Sequence, residues 1–234
     1  MYELIKETNN KVSDEDLKDV DKVTPELIEN ILKHKIKNGK SDSEFDITTD
    51  GLKQAPLEFS EHLAISIKAS LIHGHFCQDL LNCAIVPLLK DKNGKLDDSS
   101  NYRGIGLSCL ILKIYDWIML ILYDEELGSD PNQFGYQAKT SYSILSWTVI
   151  ELVNAFSRSG SPLLDYRKAF DYVNHVKIFT ILRKRKVNLI FLRLMIIIYI
   201  KQRCNVKWNK SYSFQVTNGT RQGVVFSPWG GFNT

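Results

Sequence analysis

An acidic residue, Asp165, follows the apolar pair Leu163-Leu164, where a buried strand is predicted to end. An ionised carboxylate in apolar surroundings is costly unless it is paired, hydrogen-bonded or bound to a metal ion. Taken alone, Asp165 fits two interpretations, a capping or salt-bridged carboxylate and a metal ligand, and the first is the commoner case. As a ligand it would serve metal-assisted chemistry.

Two cations flank a turn signal, since Lys90 precedes Asn93-Gly94 and Arg103 follows it. A guanidinium can grip phosphate oxygens with two parallel bonds, whereas an ammonium acts as a point charge. The pair could therefore contact a polyphosphate. The alternative is two surface cations on a solvated loop, and the two residues alone favour that alternative.

Four blocks in a fixed order contain these residues. They are Ile85-Val86-Pro87-Leu88-Leu89-Lys90 with Asn101-Tyr102-Arg103-Gly104-Ile105-Gly106-Leu107-Ser108, then Gln133-Phe134-Gly135-Tyr136, then Leu163-Leu164-Asp165-Tyr166-Arg167-Lys168-Ala169-Phe170-Asp171-Tyr172-Val173-Asn174-His175, then Asn218-Gly219-Thr220-Arg221-Gln222-Gly223-Val224-Val225-Phe226-Ser227-Pro228. Over residues 55–228 the chain resembles the reverse transcriptases of non-LTR, LINE-type retrotransposons. The blocks are similar to that family's fingers motif, its Gln-Phe-Gly-Phe block, its first palm motif and its Gly-x-Arg-Gln-Gly…Ser-Pro motif.

The resemblance implies an RNA-directed DNA polymerase that takes an RNA template, a DNA primer and deoxynucleotides. Its reaction is phosphoryl transfer, in which two Mg²⁺ ions about 4 Å apart clamp the attacking and leaving oxygens. Asp165 would be a catalytic residue that holds this metal. Five further positions would bind substrate: Lys90, Arg103, Phe170, Gln222 and Gly223.

Each implied substrate contact has a structural alternative. Lys90 and Arg103 match triphosphate-contacting positions. Phe170 matches a ring beneath the sugar that excludes a ribose 2′-hydroxyl, or else it is a core residue at a helix start. Gln222 and Gly223 match a segment along the incoming base and template, where glycine permits close approach, or else they form a hairpin exit.

The chain departs from the family pattern in its carboxylates. The family's second palm motif contains an Asp-Asp pair, yet no Asp or Glu follows Asp171, and the only Asp-Asp, Asp97-Asp98, lies before the Asn101 block. Gly104 also stands where proline is usual. These departures predict a truncated, inactive fragment with an incomplete palm. The alternatives are a non-catalytic nucleic-acid-binding remnant and a non-functional translation product.

Hydrophobic patterns predict an α+β fold, mainly helical with a small antiparallel sheet, as expected for the fingers and upper palm of a right-hand polymerase. The predicted helices are 24–35, 57–81, 105–123, one running from Val173 past Leu182, and 190–200; the predicted strands are 83–89, 161–165 and a hairpin about Asn209-Lys210. Three regions are predicted: a polar N-terminal segment with a short helix and linker (1–50), a fingers-like region (51–160) and a partial palm (161–234).

Charge is distributed unevenly along the chain. Residues 1–60 contain 14 acidic residues against nine lysines, whereas 11 basic residues follow Asp171. This basic segment indicates a polyanion partner or, equally, a solvated basic face.

The four cysteines lack the spacing of a zinc or disulfide framework, and the two most apolar stretches are interrupted by charges. A nuclear or cytoplasmic protein that is neither secreted nor membrane-bound is therefore expected.

Overall fold

The computed structural model describes Thr8 and residues 11–42, 45–124, 126, 173–207 and 213–219. Its helices are α1 (Asp14–Leu17), α2 (Pro25–His34), α3 (Thr49–Lys53), α4 (Leu57–His73), α5 (Leu110–Tyr123), α6 (His175–Lys184) and α7 (Leu189–Lys201). Its strands are β1 (Asn82–Leu89), β2 (Tyr102–Ser108), β3 (Arg203–Val206) and β4 (Ser213–Gln215). Helices beside a small sheet confirm the α+β prediction.

The helix starts follow from local sequence. Thr24 accepts a hydrogen bond from the Leu27 amide, and Pro25 occupies the first turn of α2, as predicted. Asn174 caps α6 in the same way by accepting from the Lys177 amide. These side chains satisfy backbone donors that a helix cannot pair internally.

The core is formed mainly by the apolar faces of the helices. Helix α7 is buried along almost its whole length and packs against α1, α4 and α6. Helix α2 packs against α4 and α5, and the buried faces form one apolar core. Burying an apolar side chain of this size stabilises a fold by about 1.5–3 kcal/mol. The core therefore joins segments that lie far apart in sequence.

The predicted linker at 37–46 is held against this core. Asp42 is 3% exposed, and its carboxylate accepts a hydrogen bond of 2.8 Å from the Leu110 amide at the start of α5. A carboxylate at a helix N-terminus complements the partial positive charge there. Asp42 thus links the N-terminal segment to α5.

The predicted antiparallel sheet is wrong in one respect, because the sheet is mixed. Its strand order is β2-β1-β3-β4, with β1 parallel to β3 and the other two neighbouring pairs antiparallel. Parallel neighbours need a long crossover connection. Here the chain between β1 and β3 includes α5, α6 and α7, and α7 leads directly into β3.

The predicted helix at 105–123 begins too early. Residues Tyr102–Ser108 form β2, and α5 starts at Leu110 with the Cys109 thiol accepting from the Leu112 amide. A short apolar run such as Ile105 to Leu107 has no periodicity that separates strand from helix. Pairing with β1 decides in favour of the strand.

Candidate functional site

The two predicted phosphate-contacting cations lie on one antiparallel hairpin. Strands β1 and β2 pair Leu88 with Arg103, and the Lys90 amide donates to the Asn101 carbonyl at 2.7 Å, which continues the register by one pair. Cross-strand partners share a face, and residues two apart along a strand return to it. The register therefore makes Lys90, one residue beyond the end of β1, a diagonal neighbour of Arg103 in β2.

Both cations are exposed, but they differ in their contacts. The Lys90 ammonium donates to the Ser100 carbonyl at 2.7 Å, so it is folded onto the loop that joins the strands. Arg103 lies within β2, where the strand fixes the direction of its side chain. Strand β2 thus fixes the backbone of Arg103, whereas the bond to Ser100 in the loop holds the side chain of Lys90.

The loop between the strands is organised by Asn101. Its amide oxygen accepts from the Asp91 amide at 3.0 Å, and its amide nitrogen donates to the carbonyls of Asp91 at 3.0 Å and Lys95 at 3.3 Å. Gly94 lies so close that an added Cβ would stand 2.6 Å from the Asn101 amide nitrogen. Asn101 belongs to a recognised block, but sequence reasoning gave it no separate role.

The Asp-Asp pair also belongs to this loop. The Asp98 carboxylate accepts from the Ser100 hydroxyl at 2.7 Å and from the Ser100 amide at 2.8 Å. These hydrogen bonds, led by the one from the hydroxyl, lower the pKa of Asp98, and the charge of Lys90 acts in the same direction. Asp98 thus closes the turn of this loop.

The remaining predicted site residues, Asp165, Phe170, Gln222 and Gly223, lie outside the described residues. The segments beside them do meet. The Gly219 amide donates to the Val173 carbonyl at 2.8 Å, and His175 Nε2 contacts the Gly219 carbonyl at 2.7 Å. Sequence reasoning missed this junction, although the Val-Asn-His string was a signal for it.

His175 is buried inside this junction. Only 3% of it is exposed, and its ring lies edge-on to Tyr199 at 4.7 Å between centroids. Burial lowers the pKa of His175, while the hydrogen bond to the Gly219 carbonyl opposes that change. The lowered pKa favours a neutral imidazole at neutral pH.

The basic segment after Asp171 is mostly exposed but contains one buried cation. Arg183, Lys184, Arg185 and Lys186 at the end of α6 are exposed. Arg193 is instead buried in α7, where it donates to the carbonyls of Leu71 and Ile72 at the end of α4. Burial lowers the pKa of Arg193, and Asp16 opposes that shift. Arg193 therefore faces the core, although it counts among the 11 basic residues that follow Asp171.

Within the described ranges, no cluster of three or more His, Cys, Asp or Glu is placed to hold a metal ion. Asp165, the predicted ligand, lies outside those ranges. No described helix is long and apolar enough to span a membrane.

Lys90, strand β2 and the junction at Gly219 fall inside one family match, which begins directly after β1. Residues 90–230 match the family model for reverse transcriptase (RNA-dependent DNA polymerase). The match covers more than half of the 234 residues. The chain therefore belongs to the reverse transcriptase family of RNA-dependent DNA polymerases.

Proposed function

We propose that this chain provides the fingers and upper palm of a non-LTR, LINE-type reverse transcriptase and binds deoxynucleotide, RNA template and DNA primer. The family match supports the reaction class. The four ordered sequence blocks support the LINE-type assignment. The regions proposed are an N-terminal segment (1–50), a fingers-like region (51–160) and a partial palm (161–234).

The placement of Lys90 and Arg103 as diagonal neighbours across the β1–β2 hairpin carries this proposal. A triphosphate presents several oxygens over a short distance, so its ligands must converge. Diagonal cross-strand neighbours are about 7–8 Å apart at their backbones, within reach of two long cationic side chains. The arrangement suits a guanidinium that grips one phosphate and an ammonium that neutralises the next.

Lys90 can take part without giving up its contact to Ser100. Its ammonium has three donor hydrogens, and one of them goes to the Ser100 carbonyl. The remaining two can bind phosphate oxygens while the bond to Ser100 holds the side chain in place. Asn101, which organises the loop, would keep that carbonyl in position.

We place Asp165 as a Mg²⁺ ligand, Phe170 beside the sugar, and Gln222 with Gly223 along the base and template. Mg²⁺ prefers oxygen ligands and supplies charge neutralisation for phosphoryl transfer. The carboxylates of this chain do not suit a clamp for two ions, because no Asp or Glu follows Asp171. The 234-residue polypeptide is therefore proposed to bind substrates without transferring nucleotides.

Nucleotide binding tests the hairpin directly. A fluorescent deoxynucleotide triphosphate is titrated into the parent chain and into Lys90→Ala, Arg103→Ala and the control Lys92→Ala, an exposed lysine in the same loop. Losing one charge-assisted contact worth about 1.5–3 kcal/mol corresponds to at least a ten-fold weaker affinity. The control should change affinity by less than about two-fold. Equal losses in all three variants would contradict the assigned contacts.

Primer extension tests the catalytic assignment. Purified parent chain and an Asp165→Ala variant are given an RNA template, a DNA primer, Mg²⁺ and all four deoxynucleotides. Neither should extend the primer, because Asp165 alone could not hold the two Mg²⁺ ions that would neutralise charge on the transferred phosphoryl group. Extension by the parent that disappears in the variant would show that other carboxylates complete the site.

A non-catalytic nucleic-acid-binding role is the second candidate. It is favoured by the exposed Arg and Lys side chains at the end of α6 and by the absence of Asp and Glu after Asp171. Each neutralised phosphate adds about 0.7–0.9 to the log–log salt dependence of affinity. Titration of labelled RNA at two salt concentrations measures this number. Affinity indifferent to salt would exclude the role.

A further inference from the structure

Two cysteines occupy matched positions on neighbouring strands of the sheet. Cys83 in β1 and Cys204 in β3 are partners in the parallel register. Neighbouring strands lie about 4.8 Å apart, and residues in register project their side chains from the same face of the sheet. The tertiary structure therefore brings together two thiols that are far apart in the sequence.

The spacing of the two strands suits a covalent bond between these residues. A disulfide links residues whose Cα atoms are roughly 4.4 to 6.8 Å apart and whose side chains lie on the same side. Partners on adjacent strands fall within this range. The other two cysteines lie outside the strands, because Cys77 precedes β1 and Cys109 follows β2.

The two thiols belong to a row of side chains that crosses the sheet. Ser108 in β2 is the antiparallel partner of Cys83, and Phe214 in β4 is the antiparallel partner of Cys204. Ser108, Cys83 and Cys204 are 3%, 2% and 1% exposed, whereas Phe214 is 43% exposed. The row thus runs from a buried hydroxyl to the solvent, and Cys204 is one strand away from the solvent end.

The hydroxyl of Ser108 is available to the thiol beside it. Among the residues that the structure describes, the buried Ser108 Oγ has no hydrogen-bond partner. A hydroxyl can donate a hydrogen bond to a thiolate, and the thiolate is the form of cysteine that reacts with oxidants and disulfides. Ser108 is therefore placed to stabilise the reactive form of Cys83.

We propose that Cys83 and Cys204 form an oxidisable dithiol, which hydrogen peroxide converts into a disulfide between β1 and β3. One thiol attacks the peroxide and gives a sulfenic acid and one water molecule. The sulfur of the second thiol displaces the hydroxyl group, which leaves with the thiol proton as a second water molecule. The pair has then lost two hydrogen atoms, and the peroxide has been reduced to water. This site is independent of the proposed nucleotide contacts, none of which involves a cysteine.

The disulfide would close a long loop of the chain. The segment between the two cysteines includes β2, α5, α6 and α7. A crosslink across a long loop removes conformational freedom from the unfolded chain. Oxidation should therefore raise the urea concentration at the midpoint of unfolding, and a small-molecule thiol should reverse the change by thiol–disulfide exchange.

Peptide mapping of the full chain tests the proposal. Folded protein is treated with hydrogen peroxide, the remaining thiols are alkylated under denaturing conditions, and the digest is analysed by mass spectrometry. A crosslink between Cys83 and Cys204 is expected, and prior reduction with dithiothreitol should remove it. No crosslink, irreversible oxidation of either residue, or preferred pairing with Cys109 would overturn the proposal. The same mixture of crosslinks from protein oxidised in concentrated urea would also overturn it, because the fold would then have no part in the pairing.

Alanine variants supply the matched controls, since a buried cysteine behaves as a small apolar residue. Cys77→Ala removes the exposed thiol and leaves three, of which oxidation should consume two and leave Cys109 alkylated. Cys83→Ala should form no crosslink in the sheet. If Cys83→Ala does not fold, the mapping of the parent and of Cys77→Ala still decides the proposal.

Urea unfolding shows whether the bond fits the native strands. Oxidised Cys77→Ala should unfold at a higher urea concentration than its reduced form, and Cys83→Ala should show no such difference. An equal or lower midpoint in oxidised Cys77→Ala would mean that the crosslink distorts the sheet, and it would refute a native disulfide at this position.

Discussion

The β1–β2 hairpin and the His175–Gly219 junction are both held together by hydrogen bonds, but these bonds are of different kinds. The hairpin loop is fixed by bonds between residues no more than eleven apart, such as those from Asn101 to Asp91 and Lys95, and it is exposed. The junction is buried and joins residues 44 apart. Closing a short loop requires only local order, whereas the junction depends on the helices that bring its two sides together.

Because of this difference, we expect the two regions to respond to different substitutions. Water competes for the exposed bonds of the hairpin, so their removal should loosen the loop and leave the core intact. The junction packs against Tyr199, which belongs to the buried helix α7. A change in the core should therefore reach Gly219 before it reaches Lys90 and Arg103.

The largest effect is expected from Phe179→Ala. Phe179 is 1% exposed and contacts Tyr199 edge-on at 5.8 Å, so truncation leaves a cavity beside the ring that orients His175. A buried Phe→Ala change costs about 3–5 kcal/mol of the free energy of unfolding. Urea unfolding measures this loss, and hydrogen exchange should accelerate at Gly219 more than in β1 and β2.

Leu96→Ala, at a residue 65% exposed in the hairpin loop, is the control and should change stability by less than about 0.5 kcal/mol. Equal acceleration in both regions would remove the distinction between them.

A smaller and local effect is expected from Asn101→Ala. Its three side-chain hydrogen bonds are exposed, so the expected loss in the free energy of unfolding is about 1–2 kcal/mol. Hydrogen exchange should accelerate within residues 91–100 and stay unchanged at Gly219. Asn93→Ala in the same loop serves as the matched control. Faster exchange at Gly219 in Asn101→Ala would show that the hairpin and the junction are coupled.

The smallest effect is a dependence on pH that belongs to the junction. Burial lowers the pKa of His175 from its ordinary value of 6.5, so the unfolded chain takes up a proton more readily than the folded one. The free energy of unfolding should therefore be highest above pH 6.5 and fall as the pH drops from there through the folded pKa. Urea unfolding at a series of pH values measures this slope in the parent and in His175→Gln. The slope should be smaller in the variant, and an identical slope would assign the dependence to other groups.

Several features of the fold could be predicted because they depend on neighbouring residues. The Thr24 cap with Pro25, the strand that begins near Cys83 and the hairpin on either side of Asn209-Lys210 all use short-range signals, and β3 and β4 do pair antiparallel. The ordered motifs also identified the family that the match over residues 90–230 shows. The site assignments of Lys90, Arg103, Asp165, Phe170, Gln222 and Gly223 remain predictions.

Other features were decided only by tertiary structure. The sequence could not reveal that β1 lies parallel to β3, because strand pairing across a long crossover depends on how the helices pack. In the sequence, Arg193 is one basic residue among many. The packing of α7 against the end of α4 buries it, and it donates to the carbonyls of Leu71 and Ile72 there. In the sequence, His175 is only part of a motif. The tertiary structure brings the Gly219 carbonyl to its ring as a hydrogen-bond partner. Local sequence fixes what a segment can form, while the burial of donors and acceptors from distant segments determines which partners they meet.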